Sequence, residues 1–265
     1  MRAAHANGLV AVAISSWDRN YSRCWRPQDV APAIAIVEVM RKRLGLEGKS
    51  SFALGASSGG GFTGMLASRC PPGTLTAISS QIMPLSDHFF SVAQPRTAVE
   101  FVTMPKDEPT EHFVRENIRF AANLNLLHQA RHCLPLPITP TLFSDRAAAG
   151  GVPADPASSA RISTAASAAV RRALGSAGLL DSATGLLFED PRQSNWREVV
   201  SASSAAAAAH GLPMDPDQSA LSEIMNVAWA QHEFCATDIQ KTFDFFHEAA
   251  AAATAAAAAA AAAAA

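Results

Sequence analysis

The sequence lacks the residue patterns that mark several large functional classes. Its four cysteines lie far apart and form no C-x-x-C pair, so neither a zinc site nor a disulfide framework is expected, and the thiols are predicted to be reduced. Lysine and arginine are scattered and the formal net charge is -2, which argues against a basic surface for nucleic acid. We therefore expect no metal, no other cofactor and no nucleic-acid partner.

Long apolar segments are also lacking. The apolar run Leu9–Ile14 is far too short to span a bilayer, and no secretory signal stands out, so no transmembrane segment is predicted. The hydrophobic fraction of 49% owes much to alanine, above all in residues 249–265. Alanine favours helix, so the last helix could continue into this tail, although methyl groups alone bury little surface. We interpret residues 249–265 as low-complexity sequence.

In the first half of the chain, short apolar runs alternate with one-sided helical patterns. Residues 29–44 and 112–127 carry apolar side chains at three-to-four spacing, which predicts two helices. Four apolar runs predict buried strands: Leu9–Ile14, Phe52–Leu54, Thr74–Ile78 and Ala98–Val102. This alternation predicts an α/β fold in which helices flank a mostly parallel sheet.

The alternation weakens after residue 146, and the predicted domain boundaries follow that change. Residues 1–146 and 221–248 form the predicted core, and 249–265 the alanine-rich tail. Residues 147–220 are rich in Ala, Gly, Pro and Ser and contain one short helical pattern, at 162–174. We predict that they form an insert, either a cap or a partly disordered excursion.

Residues 51–61 carry the one pattern that points to a chemistry. Gly55-Ala56-Ser57-Ser58-Gly59 matches G-x-S-x-G between an apolar run and a helical pattern of small residues. In such a strand–turn–helix context the serine has a strained backbone that exposes its hydroxyl. The next amide, here that of Ser58, points toward a developing oxyanion. The flanking glycines are expected to be required, because a side chain there would collide with a neighbouring element.

Two other interpretations of this stretch stay open. Ala56-Ser57-Ser58-Gly59-Gly60 also fits a small-x-Ser-x-small pattern, which would make Ser58 the nucleophile, although glycines on both sides favour Ser57. Alternatively, the turn is a Gly/Ser-rich loop that binds phosphate at a helix N-terminus. A phosphate-binding loop predicts a lysine after the glycines, and Phe62-Thr63 stands there instead.

A serine nucleophile needs a base, and the base needs a carboxylate to orient it. Catalytic groups of an open parallel sheet lie at the carboxyl ends of its strands, and Asp107 follows the run Ala98–Val102. The simplest alternative role for Asp107 is a helix N-cap. Asp145 is the second candidate for the acid, whereas Asp190 stands in a sequence typical of a turn.

His232 is the best placed of the eight histidines to act as the base. It lies in a loop just before the last amphipathic helical pattern, residues 239–246, from where it can reach over a serine turn. His132, at the end of the segment 126–133, is the second candidate. The order Ser57, Asp107, His232 is the chain order of α/β-hydrolase triads.

On these residues the chain resembles the α/β-hydrolase superfamily, in particular its serine esterases and lipases. The resemblance rests on Gly55–Gly59, on Asp107 after its strand and on Gln231-His232-Glu233-Phe234 before the last helix. Stretches at 15–19, 23–25, 190–192 and 196–197 are similar to a branch found in plants and algae.

The resemblance implies acyl transfer to water from a small ester or related carbonyl substrate. In that chemistry Ser57 attacks the carbonyl, His232 moves the proton, Asp107 orients His232, and the Ser58 amide binds the oxyanion. The cysteines, expected to be reduced, favour an intracellular location, in the cytoplasm or a plastid, and N-terminal targeting information is expected to be missing.

The chain departs from the superfamily pattern near its start. Leu9–Ile14 corresponds to the fourth strand of that fold, so the first three strands and a loop with a second oxyanion donor have no counterpart. We expect a truncated chain that is poorly soluble or weakly active, because one such donor is worth roughly 10²–10³ in rate. The alternative function is a catalytically impaired α/β-hydrolase-fold protein with a binding role.

Overall fold

The computed structural model describes residues 2–71, 73–92, 97–149, 162–203 and 220–264. The chain divides into two compact units, one formed by residues 1–133 and 234–265, the other by residues 134–233. The predicted insert, 147–220, falls in the second unit, and its residues 150–161 and 204–219 lie outside the described residues.

The first unit is built on a parallel four-stranded sheet. Its strands are β1 (Phe52–Ala56), β2 (Ala77–Gln81), β3 (Ala98–Thr103) and β4 (His128–His132), and their order in the sheet follows the chain. All three strand pairs are parallel, with Ala56 opposite Gln81 at the end of the first pair. β2 and β3 are buried along their whole length. The prediction of an α/β fold with a parallel sheet is therefore confirmed.

Helices cover both faces of this sheet. On one face, alternate residues of β2 and β3 such as Ile78 and Phe101 pack with Phe62. On the other, Ala77 and Ala98 meet aromatic residues of the last helix. The helices of the first unit, with a short 3₁₀ turn at Pro27–Asp29, are α1 (Arg2–Ala6), α2 (Val30–Arg43), α3 (Ser58–Arg69), α4 (Asp87–Val92), α5 (Glu108–Asn123) and α10 (Ile239–Ala264).

The strand predicted at Leu9–Ile14 is wrong. This segment has no strand structure, and Val10 and Val12 are 59% and 43% exposed. Within the described residues, β1 pairs only with β2, so the segment has no ladder that would hold it in the sheet. An apolar run forms a buried strand only where a neighbouring strand satisfies its backbone groups.

β2 and β4 also differ from the sequence prediction. β2 begins at Ala77, three residues after the predicted start at Thr74. β4, with the sequence HQARH, was not predicted, because its polar side chains lack the apolar pattern of a buried strand. It lies at the edge of the sheet, where polar and charged side chains are expected.

The described part of the second unit contains helices joined by non-helical segments, one of which has an antiparallel bridge between Leu180 and Leu187. It contains α6 (Leu142–Ala149), α7 (Thr164–Ser176), α8 (Trp196–Ala202) and α9 (Ala220–Trp229). The helix predicted at 162–174 is α7, and Ser163 caps it by accepting a hydrogen bond from the Ala166 amide. Trp196, 1% exposed, lies in a core shared with Phe143 and Met225. This unit thus buries an apolar core of its own.

Two cysteines are paired, which contradicts the prediction of reduced thiols without a disulfide. Cys133, directly after β4, is bonded to Cys235, just before α10, with 6.6 Å between their Cα atoms. Their separation of 102 residues gave no local spacing from which to infer the bond. Cys24 and Cys70 are free.

α10 runs through the alanine tract, so the terminal helix does continue to Ala264. By length and composition, Ile239–Ala263 is apolar enough to cross a membrane, which the sequence analysis of Leu9–Ile14 overlooked. The first turns of this helix pack on the sheet through Phe245 and Phe246. The core helix of a soluble protein passes the same test, so this property does not assign a membrane span.

Candidate functional site

Ser57 occupies the sharp turn between β1 and α3. Its backbone angles are φ 53° and ψ -127°, in a region that residues other than glycine rarely adopt. A strained backbone of this kind costs on the order of 1–3 kcal/mol and is typical of functional sites. The turn is held by a hydrogen bond of 2.9 Å from the Ser57 amide to the carbonyl of Gln81. The predicted strand–turn–helix setting of Ser57 is confirmed.

The glycines around Ser57 do not all have the role predicted for them. A Cβ atom on Gly55 would overlap the Gly59 carbonyl and lie 2.9 Å from the Gly60 nitrogen, so Gly55 is required. A Cβ atom on Gly59 would make only an ordinary contact, 3.5 Å from the Trp25 ring. At Gly60 it would lie 2.8 Å from Ser80 Oγ and 2.9 Å from the Gln81 carbonyl oxygen. The second required glycine is therefore Gly60, and the prediction for Gly59 is wrong.

Ser58 is the first residue of α3, and its side chain has a structural partner. The backbone N–H of Trp25 donates to Ser58 Oγ at 3.2 Å. The Ser58 amide lies in the first helical turn, where N–H groups have no acceptor within the helix and attract negative charge. The Ser58 hydroxyl thus contacts the loop before α2, and the Ser58 amide lies where the helix stabilises negative charge.

The loop before α2 lies against this turn. The Trp25 ring stacks on Phe62 of α3 with 4.2 Å between ring centroids. Asp29 shapes the loop, since its carboxylate accepts hydrogen bonds from the amides of Trp17 and Arg26 at 2.9 and 2.8 Å. The loop borders an open cavity of about 560 Å³ whose lining is Ile14, Ser15, Ser16, Asp18, Arg19, Arg23 and Trp25.

Asp18, which lies in this lining, has a shifted acidity. The Ser22 hydroxyl donates to its carboxylate at 2.7 Å, and the amides of Tyr21 and Ser22 donate as well. These hydrogen bonds, with the Ser22 hydroxyl as the largest contribution, lower the pKa of Asp18 below its usual value. Asp18 therefore stays charged near neutral pH.

Asp107 lies where the sequence predicted an acid, past the carboxyl end of β3. It occupies the N-cap position of α5, but its side chain makes no capping hydrogen bond to that helix. The residue is only 9% exposed. The N-cap hydrogen bond considered as the alternative role of Asp107 is therefore not made.

The other acidic candidates lie elsewhere. Asp145 is exposed on the first turn of α6, in the second unit, rather than at the end of a sheet strand. Asp190 forms the predicted turn, in which its carboxylate accepts a hydrogen bond from the Arg192 amide at 2.9 Å. Neither has a position in the sheet comparable with that of Asp107.

The two histidine candidates belong to different units. His132 ends β4, and its Nδ1 lies 2.7 Å from the hydroxyl of Thr103 on β3. His232 lies in the second unit, exposed and with a positive φ of 46°. The Arg192 guanidinium donates to the Gln231 carbonyl at 2.8 Å and to the Glu233 carboxylate at 3.3 Å, so it holds both neighbours of His232. Ser57 and Asp107 share the first unit, and the assembly of all three as a triad stays a prediction.

Gln81 is a residue of this region that the sequence analysis missed. It ends β2, is fully buried, and holds two segments that are distant in sequence. Its carbonyl accepts the Ser57 amide, and its side-chain Oε1 accepts the Cys235 amide at 3.1 Å. Nothing in the local sequence marks Gln81, because its partners come together only when the sheet forms.

The described residues contain no group of three or more His, Cys, Asp or Glu side chains that could hold a metal ion. No protein-family model matches the chain, and neither a curated protein nor a solved structure shows a significant match to it.

Proposed function

We propose that the protein is a serine hydrolase that transfers the acyl group of a small ester or related carbonyl substrate to water. The observation that carries this proposal is the backbone of Ser57, with φ 53° and ψ -127° between a parallel strand and a helix. Such a turn presents the hydroxyl at the carboxyl end of the sheet. It also places the first amides of α3 next to the position of an oxyanion.

In this proposal Ser57 Oγ attacks the substrate carbonyl while His232 takes its proton as general base. His232 later returns that proton to the leaving alcohol, and a water molecule repeats the sequence to release the acid. Asp107 orients the imidazole and stabilises its charge. The Ser58 amide donates to the oxyanion. The parallel sheet with helices on both faces is consistent with an α/β-hydrolase fold, which we propose as the finer description.

Covalent labelling by a fluorophosphonate tests the proposal, because this reagent phosphonylates an activated serine. We expect wild-type protein to be labelled and Ser57→Ala to be unlabelled. Ser58→Ala is the matched control and should keep most of the labelling, since its side chain only accepts the Trp25 amide. Labelling that survives in Ser57→Ala, or that is absent from folded wild-type protein, would contradict the proposal.

The alternative is a catalytically impaired protein of the same fold with a binding role. The exposed segment Leu9–Ile14 favours it, because within the described residues the outer side of β1 has no partner strand. That side of β1 is where an element with a second oxyanion donor would be expected. Folded wild-type protein that hydrolyses no p-nitrophenyl ester and takes up no fluorophosphonate would favour this alternative.

A further inference from the structure

The segment that follows His232 is held by buried groups of the sheet. Cys235 is three residues after His232, and its amide donates to Oε1 of Gln81. The Arg131 guanidinium, on β4, donates to the Thr237 carbonyl and to the Thr242 hydroxyl, each at 3.1 Å. The segment 235–242 is therefore fixed to β2 and β4 by hydrogen bonds that lie largely out of solvent.

A covalent bond holds the same segment. The Cys133–Cys235 disulfide joins the residue after β4 to the start of this segment, and both residues are buried. The chain leaves the first unit after Cys133 and returns to it at Phe234. The disulfide thus fixes the place where the segment carrying His232 rejoins the sheet.

Gln81 connects this segment to Ser57. Its carbonyl holds the Ser57 amide at 2.9 Å, while its side chain holds the Cys235 amide at 3.1 Å. Both bonds come from one fully buried residue, so a shift of β2 moves the serine turn and the 235 segment together.

The amide nitrogen of Gln81 shows that its side chain is not optimal for stability. Nε2 is buried and has no hydrogen-bond partner among the described residues. A buried donor without an acceptor destabilises the folded state, so an apolar side chain of the same length would remove that cost. The Gln81 side chain accepts a hydrogen bond at Oε1 but makes none at Nε2 among the described residues. This arrangement suits a residue that holds the Cys235 amide in place better than one that only stabilises the fold.

We propose that Gln81 is a positioning residue of the hydrolase site, and this proposal rests on the proposed function. Through Oε1 it fixes Cys235, which the disulfide also holds and which lies three residues after the proposed base His232. The acceptor at Oε1 is the atom that matters. Gln81→Glu keeps an acceptor for the Cys235 amide, whereas Gln81→Met keeps the length and removes it.

The test compares fluorophosphonate labelling rates and thermal unfolding midpoints of the full chain. We expect Gln81→Met to label about 10- to 100-fold more slowly, the range that a small misplacement of a catalytic group produces. Its unfolding midpoint should stay near the wild-type value, because losing the Cys235 bond is offset by removing the unsatisfied Nε2. Gln81→Glu should restore most of the labelling rate.

The disulfide provides the second arm of the experiment. Cys133→Ala/Cys235→Ala should also slow labelling, and adding Gln81→Met should slow it by less than the product of the two effects, since both act on one segment. Cys24→Ala/Cys70→Ala is the matched control and should label at the wild-type rate. Wild-type labelling in Gln81→Met, or losses that only follow the loss of folded protein, would overturn the proposal.

Hydrogen exchange separates this proposal from the proposed function. In Gln81→Met, amides of residues 235–238 should exchange faster, while those of β3 should not change. This readout does not require Ser57 to react. If wild-type protein takes up no label but exchange at 235–238 rises in Gln81→Met, the proposed function fails while the role of Gln81 in holding Cys235 is supported. Unchanged exchange at 235–238 in Gln81→Met would refute that role.

Discussion

The amide of Ser57 donates to the main-chain carbonyl of Gln81 at 2.9 Å, across the ends of the first two strands. This bond continues the β1–β2 ladder by one residue, past the pair Ala56 and Gln81. The strained turn of Ser57 is thus anchored to the most buried part of the sheet. A turn anchored in this way can keep an unfavourable backbone because the surrounding structure determines it.

Gly55 and Gly59 should respond differently to alanine, and only Gly55→Ala should be destabilising. Gly55→Ala places a methyl group against the Gly59 carbonyl and should destabilise the protein by about 1–3 kcal/mol or more. Gly59 lies inside α3 with an ordinary contact to Trp25, so Gly59→Ala should be neutral or stabilising by up to about 1 kcal/mol. Urea unfolding of both variants measures the difference. Equal destabilisation by the two changes would contradict the steric account.

Asp107→Asn should reduce hydrolysis far more than it reduces stability. An asparagine keeps the shape of the side chain but no longer orients and stabilises a protonated histidine, which costs on the order of 10⁴ in rate in a serine triad. Asp145→Asn, on the exposed surface of α6, is the matched control and should keep its activity. Hydrolysis rates with a p-nitrophenyl ester and unfolding midpoints, measured on both variants, separate a loss of activity from a loss of stability. Loss in Asp145→Asn alone would assign the acid to that residue.

The buried ion pair between Arg131 and Glu100 should be worth much more than the exposed pair between Arg26 and Asp18. Glu100 is fully buried, and its carboxylate accepts a hydrogen bond from Arg131 Nε at 3.0 Å. Arg131→Met would leave this carboxylate without its charge partner and should cost about 3–5 kcal/mol. Arg26→Met removes a half-exposed partner and should cost about 0–1 kcal/mol. Denaturant unfolding of both variants provides the comparison, and similar losses would contradict it.

Cys70 should resist alkylation. Burial, with a smaller contribution from the nearby Glu38 carboxylate, raises the pKa of the Cys70 thiol to about 11. At pH 8 only about one molecule in a thousand then carries the reactive thiolate. Cys24 is exposed and is the matched comparison. With iodoacetamide at pH 8, mass spectrometry should find Cys24 modified well before Cys70, and raising the pH toward 11 should reduce the difference. Equal rates at pH 8 would show that Cys70 is not shielded.

The Cys133–Cys235 disulfide should make stability sensitive to reduction. It closes a loop of about a hundred residues, for which chain entropy predicts about 4–5 kcal/mol of stabilisation. A dithiol reductant should therefore lower the unfolding midpoint of wild-type protein and leave that of Cys133→Ala/Cys235→Ala unchanged. A midpoint that is insensitive to reductant, with both thiols shown by alkylation to be free, would contradict this expectation.

Local sequence patterns predicted the elements that depend on local properties. The strands at Phe52 and Ala98 are apolar because the side chains of β3 are buried in the sheet and those of β1 are half-buried there. The serine turn could be predicted from Gly55, because a glycine is required where the backbone of Gly55 closely approaches that of Gly59. β4 could not be predicted in this way, because an edge strand carries polar residues that also suit a loop.

The sequence by itself determined an α/β fold with a parallel sheet and the position of Ser57 at a strand-to-helix turn, since both are encoded within a few neighbouring residues. Only the tertiary structure decided that Leu9–Ile14 is not a strand, that Gly60 rather than Gly59 is sterically required, and that Cys133 is bonded to Cys235. Gln81 belongs to the same group. Its partners Ser57 and Cys235 lie 24 residues before it and 154 residues after it in the sequence. They meet only because parallel pairing brings the ends of β1 and β2 beside the segment before α10.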